Sequence, residues 1–475
     1  MSNDDVTPAR INGEAVTSTE TTDVRSPYDG RVVGRVPTLG EAEIDRAVAV
    51  ALERHRAGAP PAFERAEILD RAAILLADRN EEFAQSISTE SAKPIATARV
   101  EAQRAVDTIR FAAAVARTAT GETIPLDASS AGVGKFGFVK RVPIGVVAAI
   151  SPFNFPLNLV CHKLAPAIAA GCPVVLKPAS ATPLTGLKLA ALFEEAGLAP
   201  GWINTVTVPG KVADHLVLHD DIAMITFTGS PDVGWGIRAR APRKRVSLEL
   251  GNNAPVIIEP DADIEAAAKK ISVAGYSFAG QSCISVQRVY VHSAVRAEFL
   301  DHLNRFVSEL VVGDPADDAT AVSALITEKE TTRVKSWIDE AAQQGARVDV
   351  GGSIGDDGVL VPTVLSGVTA DMSVSKTEVF GPVVGTAEYT DFDDALRMAN
   401  DTRYGLQAGV FTSDLAKALK AGDVLDFGGV IVNEVPTWRA DQMPYGGVRD
   451  SGNTREGPAY TIDEMTERRL VVFQK

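Results

Sequence analysis

Cysteine is scarce in this chain. Three occur among 475 residues: Cys161, Cys172 and Cys283. The number is odd, and Cys161 and Cys172 lie in an apolar Ala/Leu/Val-rich stretch. A disulfide framework is therefore not expected, and the compartment reads as reducing. Long apolar runs are also missing. No stretch of about 18 apolar residues occurs, so no membrane span is expected. The opening MSNDDVTPARINGEAV is polar and acidic. It lacks a basic region followed by an apolar one, so no signal peptide is expected and the location reads as cytoplasmic. Positive charge is short as well: 47 Lys and Arg face 62 Asp and Glu, a net charge of −15. That balance excludes nucleic acid and anionic membrane as main partners, because both need clustered cations. Small anionic ligands need only a local positive site and stay open.

What is present fits a globular protein: 45% hydrophobic and 23% charged residues. A chain of this length buries a large core without staples and predicts two to four folding units at roughly 150 residues each. Apolar positions recur at helical spacing through residues 41–118, with acidic-to-Arg pairs three or four apart on the outer faces. Residues 119–134 are rich in Gly, Ser and Thr and suggest a boundary. KFGFVKRVPIGVVAAIS then reads as strands joined by a turn. Short Val/Ile runs alternate with Ala/Leu helices up to AMITFT, and again after Gly251 from APVIIE. That is the βαβ texture of doubly wound parallel sheets. DIEAAAKKISVAGYSFAG reads as one helix. RRLVVFQ reads as a lone strand that must pair elsewhere, with KFGFVKRV a candidate.

Gly132-x-Gly134-x-x-Gly137 mimics a dinucleotide fingerprint. A polar loop precedes it and a strand follows, the reverse of what a phosphate-binding helix N-terminus requires. A better turn is Phe227-Thr228-Gly229-Ser230, which closes a strand and opens a helix containing Gly234. Gly229 permits the turn, and Ser230 can cap the helix or meet a phosphate; a plain strand-to-helix connection would look alike. Lys177 ends the strand VVLKP, where ligands bind in open α/β sheets, although a surface Lys would also fit. Cys283 lies between helix and strand among small residues. It reads either as a nucleophile or as a core thiol. Glu249 ends an apolar strand before Gly-Asn-Asn, as a general base or a solvated strand end. Asn154, between two prolines, offers an amide to an oxyanion.

In order, SPFNFP, KPAS, FTGS, ELGNN, GQSC, EVFGPV and PYGGV resemble the aldehyde dehydrogenase superfamily. The resemblance runs from about residue 10 to the end. LGNNAPVII, QSCISVQRVYVH and VPTWRADQMPYGGV are similar to its lactaldehyde-like and phosphonoacetaldehyde-like branches.

The resemblance implies an α/β fold: a Rossmann-like cofactor domain, a second α/β catalytic domain and a β-ribbon that joins subunits into dimers or tetramers. The expected boundaries are 1–118 with 143–251 for the cofactor domain and 252–441 for the catalytic domain. Residues 119–142 and 442–475 form the ribbon and C-terminal strand. It implies Cys283 as nucleophile, Asn154 as oxyanion donor and Glu249 as base for thioester hydrolysis. NAD or NADP would be held by Ser151, Phe153, Lys177, Ser180, Gly229, Ser230, Gly234, Leu250, Glu378 and Phe380. Phe155, Ser282, Ile284, Trp438, Arg439 and Tyr445 would line a substrate funnel, and no metal is implied.

Ser180 stands where many NAD-preferring members carry Glu. Ser does not repel a 2′-phosphate, so NADP is expected to be accepted. Asn252 replaces a commoner Gly and is expected to be tolerated, because Asn accepts unusual backbone angles. Arg449 and Thr454 are further departures. Arg439, beside Trp438, is a candidate anchor for an anionic substrate tail, with Arg110 and His162 behind it. Two rivals remain at this point. A CoA-acylating relative generally lacks the hydrolytic Glu, and a crystallin-like relative tends to lose the nucleophile or the cofactor Lys.

Overall fold

The structure is a computed structural model describing residues 6–474. The first five residues of the expected cofactor domain, and Lys475, lie outside the described residues. The periodicity over 41–118 resolves into four helices: Glu41–Ala57, Ala62–Asp78, Asn80–Ser91 and Ile95–Thr118. Their apolar stripes bury Leu69, Leu76, Phe83 and Ile109 in a core shared with Val147, Val174 and Leu176. Apolar runs alternating with helices give strands covered on both faces, as a parallel sheet requires.

The first sheet has five strands in the order Arg245–Glu249, Ile222–Thr228, Val146–Ile150, Val174–Lys177, Ile203–Thr205. All neighbours are parallel. The register sets Thr228 beside Glu249 and Ile150 beside Lys177. The residues singled out in three separate motifs thus reach one sheet edge, the carboxyl edge.

The second sheet has seven strands in the order Arg347–Val350, Thr363–Ser366, Val383–Tyr389, Val286–His292, Ala254–Ile258, Gln407–Phe411, Gly429–Val432. Only Arg347–Val350 runs antiparallel to its neighbour.

RRLVVFQ finds its expected partner. Thr466–Gln474 pairs antiparallel with Lys135–Pro143, which also pairs with Glu122–Ile124. The Gly132-to-Gly137 decoy falls in this ribbon, entered from a short turn at Ser130–Gly132 rather than followed by a helix. The ribbon exposes Phe136 and Phe473 on one face and Leu470 and Val472 on the other.

Two expectations change. Residues 442–465 do not lie in the ribbon. They run over the first sheet, where Leu250 N–H donates to Ser451 O (3.0 Å) and Leu248 N–H to Asn453 Oδ1 (2.9 Å). The stretch is glycine-rich and buried at Tyr445, Gly446 and Gly447, so it follows the sheet surface instead of forming an amphipathic strand. The helix expected through residue 280 ends at Ala274. A Cβ on Gly275 would meet Val384 Cγ2 at 2.4 Å, so only glycine fits where the helix ends against the second sheet. Phe278 and Ala279 then adopt left-handed backbone (φ 50° and 52°). Non-glycine residues take that conformation only when the surroundings enforce it. Here Tyr276 O–H donates to Thr363 O (2.9 Å), and Gly280 lies against the Gly381 carbonyl.

Candidate active site

The strand ends open onto a cavity of about 400 Å³. Cys283 and Glu249 both line it, as do Asn154 and Phe153. Gly229, Ser230, Leu250, Glu378 and Phe380 complete the expected part of its wall. Sequence reasoning missed Pro152, Leu159, Ala179, Thr228, Gly251 and Arg333. Thr228 and Gly251 belong to motifs already noted and were within reach. Arg333 sits on the helix Glu328–Gln343, and nothing in its local pattern separates it from a surface residue.

Asn154 is fixed from two sides. Its Nδ2 donates to Gln281 O (3.0 Å), which ties it to the Cys283 loop. Its Oδ1 is buried without a partner among the described residues. Beneath it, buried Lys93 donates to Asn154 O (2.7 Å) and forms an ion pair with Glu101. Glu101 Oε1 accepts from Leu157 N (3.0 Å) and Asn158 N (3.2 Å). The loop is thereby pinned by a charge pair that sequence reasoning did not find. Lys93→Ala strands the Glu101 charge in the core. It should lower unfolding free energy by about 3–5 kcal/mol in denaturant titrations, and Lys93→Met with Glu101→Gln should recover part of the loss.

Glu249 is buried, and neither carboxylate oxygen has a hydrogen-bond partner among the described residues. Burial, with Glu456 adding to it, holds its carboxyl well above the usual carboxylate range; Arg439, Lys163 and Arg455 pull the other way. A Cβ on Gly446 would come within 2.9 Å of Glu249 Oε1, so only glycine lets the PYGGV backbone cover this carboxylate so closely. Cys283 Sγ lies 3.0 Å from Tyr445 Oη. Burial pushes the thiol up to about 12, against the hydrogen bond to Tyr445.

The dinucleotide candidates lie along the same edge. Lys177 Nζ donates to Pro178 O (3.1 Å), and burial lowers its pKa to about 8. Ser151 N–H donates to Lys177 O (3.2 Å). Ser230 precedes the helix Pro231–Arg240 and makes no side-chain cap, which leaves its hydroxyl available. A Cβ on Gly234 would strike Leu250 Cδ2 at 2.5 Å, so this glycine allows helix and strand to close up. Ser180 is exposed in a separate groove with Pro178, Thr207 and Gly210, and no acidic residue lines that groove. Glu378 Oε1 accepts from Asn252 N (2.9 Å), and burial raises its carboxyl to about 7. Phe153 and Phe380 meet edge-to-face, 5.8 Å between centroids. Ser151, Lys177, Ser180 and Gly234 do not line the main cavity.

The expected funnel residues are placed unevenly. Ile284 and Tyr445 are buried together with Leu406. Phe155 lies under Lys93, whose Nζ is 3.8 Å from the ring centroid. Ser282 is half-buried, and Trp438 is exposed. Arg439 corrects the expectation of an open anchor. Its side chain is 5% exposed and bonds Glu456 Oε2 at 2.8 Å. Nη2 also lies 3.0 Å from His162 Nε2, and the guanidinium sits 3.8 Å from the Tyr445 ring centroid. A buried guanidinium needs a carboxylate, and Glu456 supplies it. His162 is likewise buried, against Asp441 (3.0 Å). Arg110 is half exposed beside Asp107.

Asn252 does not use a left-handed backbone; positive φ falls at other residues. Its amide instead donates to Gln407 O (3.2 Å) and accepts from Leu406 N (3.4 Å). Arg449 binds the Thr402 and Asp426 carbonyls, and Thr454 binds Glu464. Among the described residues no cluster of three or more His, Cys, Asp or Glu could hold a metal ion. No helix among them is long and apolar enough to cross a membrane.

A thiol and an unpartnered buried carboxylate facing one cavity at a parallel-sheet edge define a class, and sequence comparison agrees. The chain belongs to the aldehyde dehydrogenase family, whose model matches residues 15–471. It is 45% identical over 464 residues to 3-sulfolactaldehyde dehydrogenase of Priestia aryabhattai, covering 98% of this chain and 97% of the relative. Its fold matches aldehyde dehydrogenase 21 of Physcomitrella patens, solved with the reaction product succinate. The TM-score is 0.95 at 39% identity, covering 99% of this chain and 98% of the other. It also matches NADP-dependent glyceraldehyde-3-phosphate dehydrogenase of Bacillus halodurans, solved with NADP. There the TM-score is 0.95 at 36% identity, over 98% and 99% of the two chains.

Proposed function

We propose that this protein oxidises an aldehyde to its carboxylic acid with NADP or NAD and hands the acyl group to water. The observation that carries this reading is Glu249: a buried carboxylate, unpartnered among the described residues, in the cavity that holds Cys283. Cys283 sulfur adds to the aldehyde carbon, and the oxyanion is received by the Asn154 amide and the Cys283 backbone N–H. A nicotinamide dinucleotide, when bound, supplies the two-electron acceptor. Glu249 then takes a proton from the water that attacks the thioester carbonyl. The C–S bond breaks, the acid leaves and the sulfur is restored. A CoA-acylating enzyme would have no use for this base, and a structural relative no use for the thiol.

The dinucleotide fits the residues present. Lys177 and Ser180 would take the adenosine ribose side, Ser230 and the turn at Gly229 the pyrophosphate, and Glu378 and Phe380 the nicotinamide end. Unmet polar capacity at Lys177 and Ser230 supports this. In this reading residues 1–118 and 143–251 form the cofactor unit and 252–441 the catalytic unit. The exposed apolar residues of the ribbon join copies into a dimer or tetramer, a size that sedimentation measures. The substrate is a short oxygenated aldehyde, as the 3-sulfolactaldehyde relative suggests. Aldehyde-dependent absorbance at 340 nm, with acid formed in the absence of CoA, tests the reaction. For the cofactor, kcat/KM with NADP should fall within about tenfold of that with NAD, because no acidic residue lines the Ser180 groove to repel a 2′-phosphate. A hundredfold NAD preference would refute this.

A further inference from the structure

The mechanism above leaves one contact at the sulfur unused. Tyr445 Oη is 3.0 Å from Cys283 Sγ, while the opposite demands on that sulfur are severe. Burial disfavours the anion, and Glu378 and Glu249 add two carboxylates on the same side of the balance. Against them stand the Tyr445 hydrogen bond and the charge of Arg439. A thiolate has no proton to give, so once the anion forms the phenol must be the donor. The phenol is held to that task. Tyr445 N–H donates to Met443 O (2.8 Å) and Glu456 O (2.9 Å), and the ring is buried. The Arg439 guanidinium, 3.8 Å from its centroid, is itself fixed by Glu456. A cation over a phenol ring draws electron density from the oxygen and strengthens the O–H as a donor. The same charge that was expected to hold a substrate tail therefore acts inward, through the ring.

We infer that the Tyr445 hydroxyl, backed by Arg439, is the hydrogen-bond donor that holds the Cys283 sulfur as a thiolate. The inference rests on Cys283 being the reactive thiol. It assigns Tyr445 a part at the reacting atom rather than in the funnel wall.

The test is the pH profile of iodoacetamide alkylation of the full-length protein, with the modified residue mapped by mass spectrometry. Groups facing the sulfur are Glu249, Glu378, Tyr445 and Arg439, and each stays in place in Tyr445→Phe except the hydroxyl. Loss of one charge-assisted hydrogen bond should slow Cys283 alkylation about tenfold at fixed pH and move the midpoint upward. An unchanged midpoint overturns the inference. Should Tyr445→Phe fold poorly, 3-fluorotyrosine at 445, a stronger donor of nearly the same shape, should move the midpoint downward. No shift there overturns it equally. Alkylation of Cys283 that leaves aldehyde oxidation intact would instead sink the functional reading, and the profile would still decide the hydrogen bond.

Discussion

Glu249→Gln is expected to reduce one equivalent of NAD(P) per site in a rapid burst and then stall. The amide cannot take the proton of the attacking water, so the thioester accumulates on Cys283. Steady-state turnover should fall by roughly 10²–10⁴-fold, the usual weight of a general base, while the burst rate changes little. Added small thiols should restore part of the turnover by accepting the acyl group. The pH dependence carries the same signature. Burial raises the Glu249 carboxyl, so at low pH it is protonated and inactive as a base, and turnover rises as pH climbs through its folded-state value. In Glu249→Gln that rising limb should vanish. Loss of the burst together with turnover would show that Glu249 acts earlier than hydrolysis.

Cys283→Ala should remove the reaction altogether. Without the sulfur no thiohemiacetal forms and no electron pair is positioned for transfer, so turnover should drop by at least about 10⁴-fold, as for other covalent nucleophiles. Cofactor binding should survive, because the dinucleotide candidates lie on the first sheet and the Glu378–Phe380 turn. Titration of NADP by fluorescence quenching separates the two effects. Residual turnover above about 1% of the parent would refute the nucleophile assignment.

Local chemistry carried most of the fold and about half of the site. Lys177 and Glu249 were legible because an apolar run ending in a charged residue marks a strand's carboxyl end, and parallel order then gathers such ends. Cys283 and Asn154 became legible only as members of an ordered set of motifs. The helix stop at Ala274 was not drawn from the sequence, although Gly275 directly follows it as the C-cap, because the apolar spacing continues through Phe278. Lys93 was missed for a similar reason: its partner, the Asn154 carbonyl, lies 61 positions away. Arg439 was misplaced because Glu456, which draws it inward, follows only after the glycine-rich turn. Long-range pairing of buried charges leaves no periodic trace.

The segment over the first sheet has a consequence for synthesis. Gly446 covers Glu249, Ser451 and Asn453 tie down its strand, and Thr466–Gln474 closes the ribbon. These residues emerge from the ribosome after nearly everything they touch. At about 5–20 residues per second, Cys283 spends on the order of ten seconds or more in a chain whose base is still uncovered by Gly446. Until Gly446 has been made the base lacks its cover, so shielding of the centre comes well after Cys283 itself is in place.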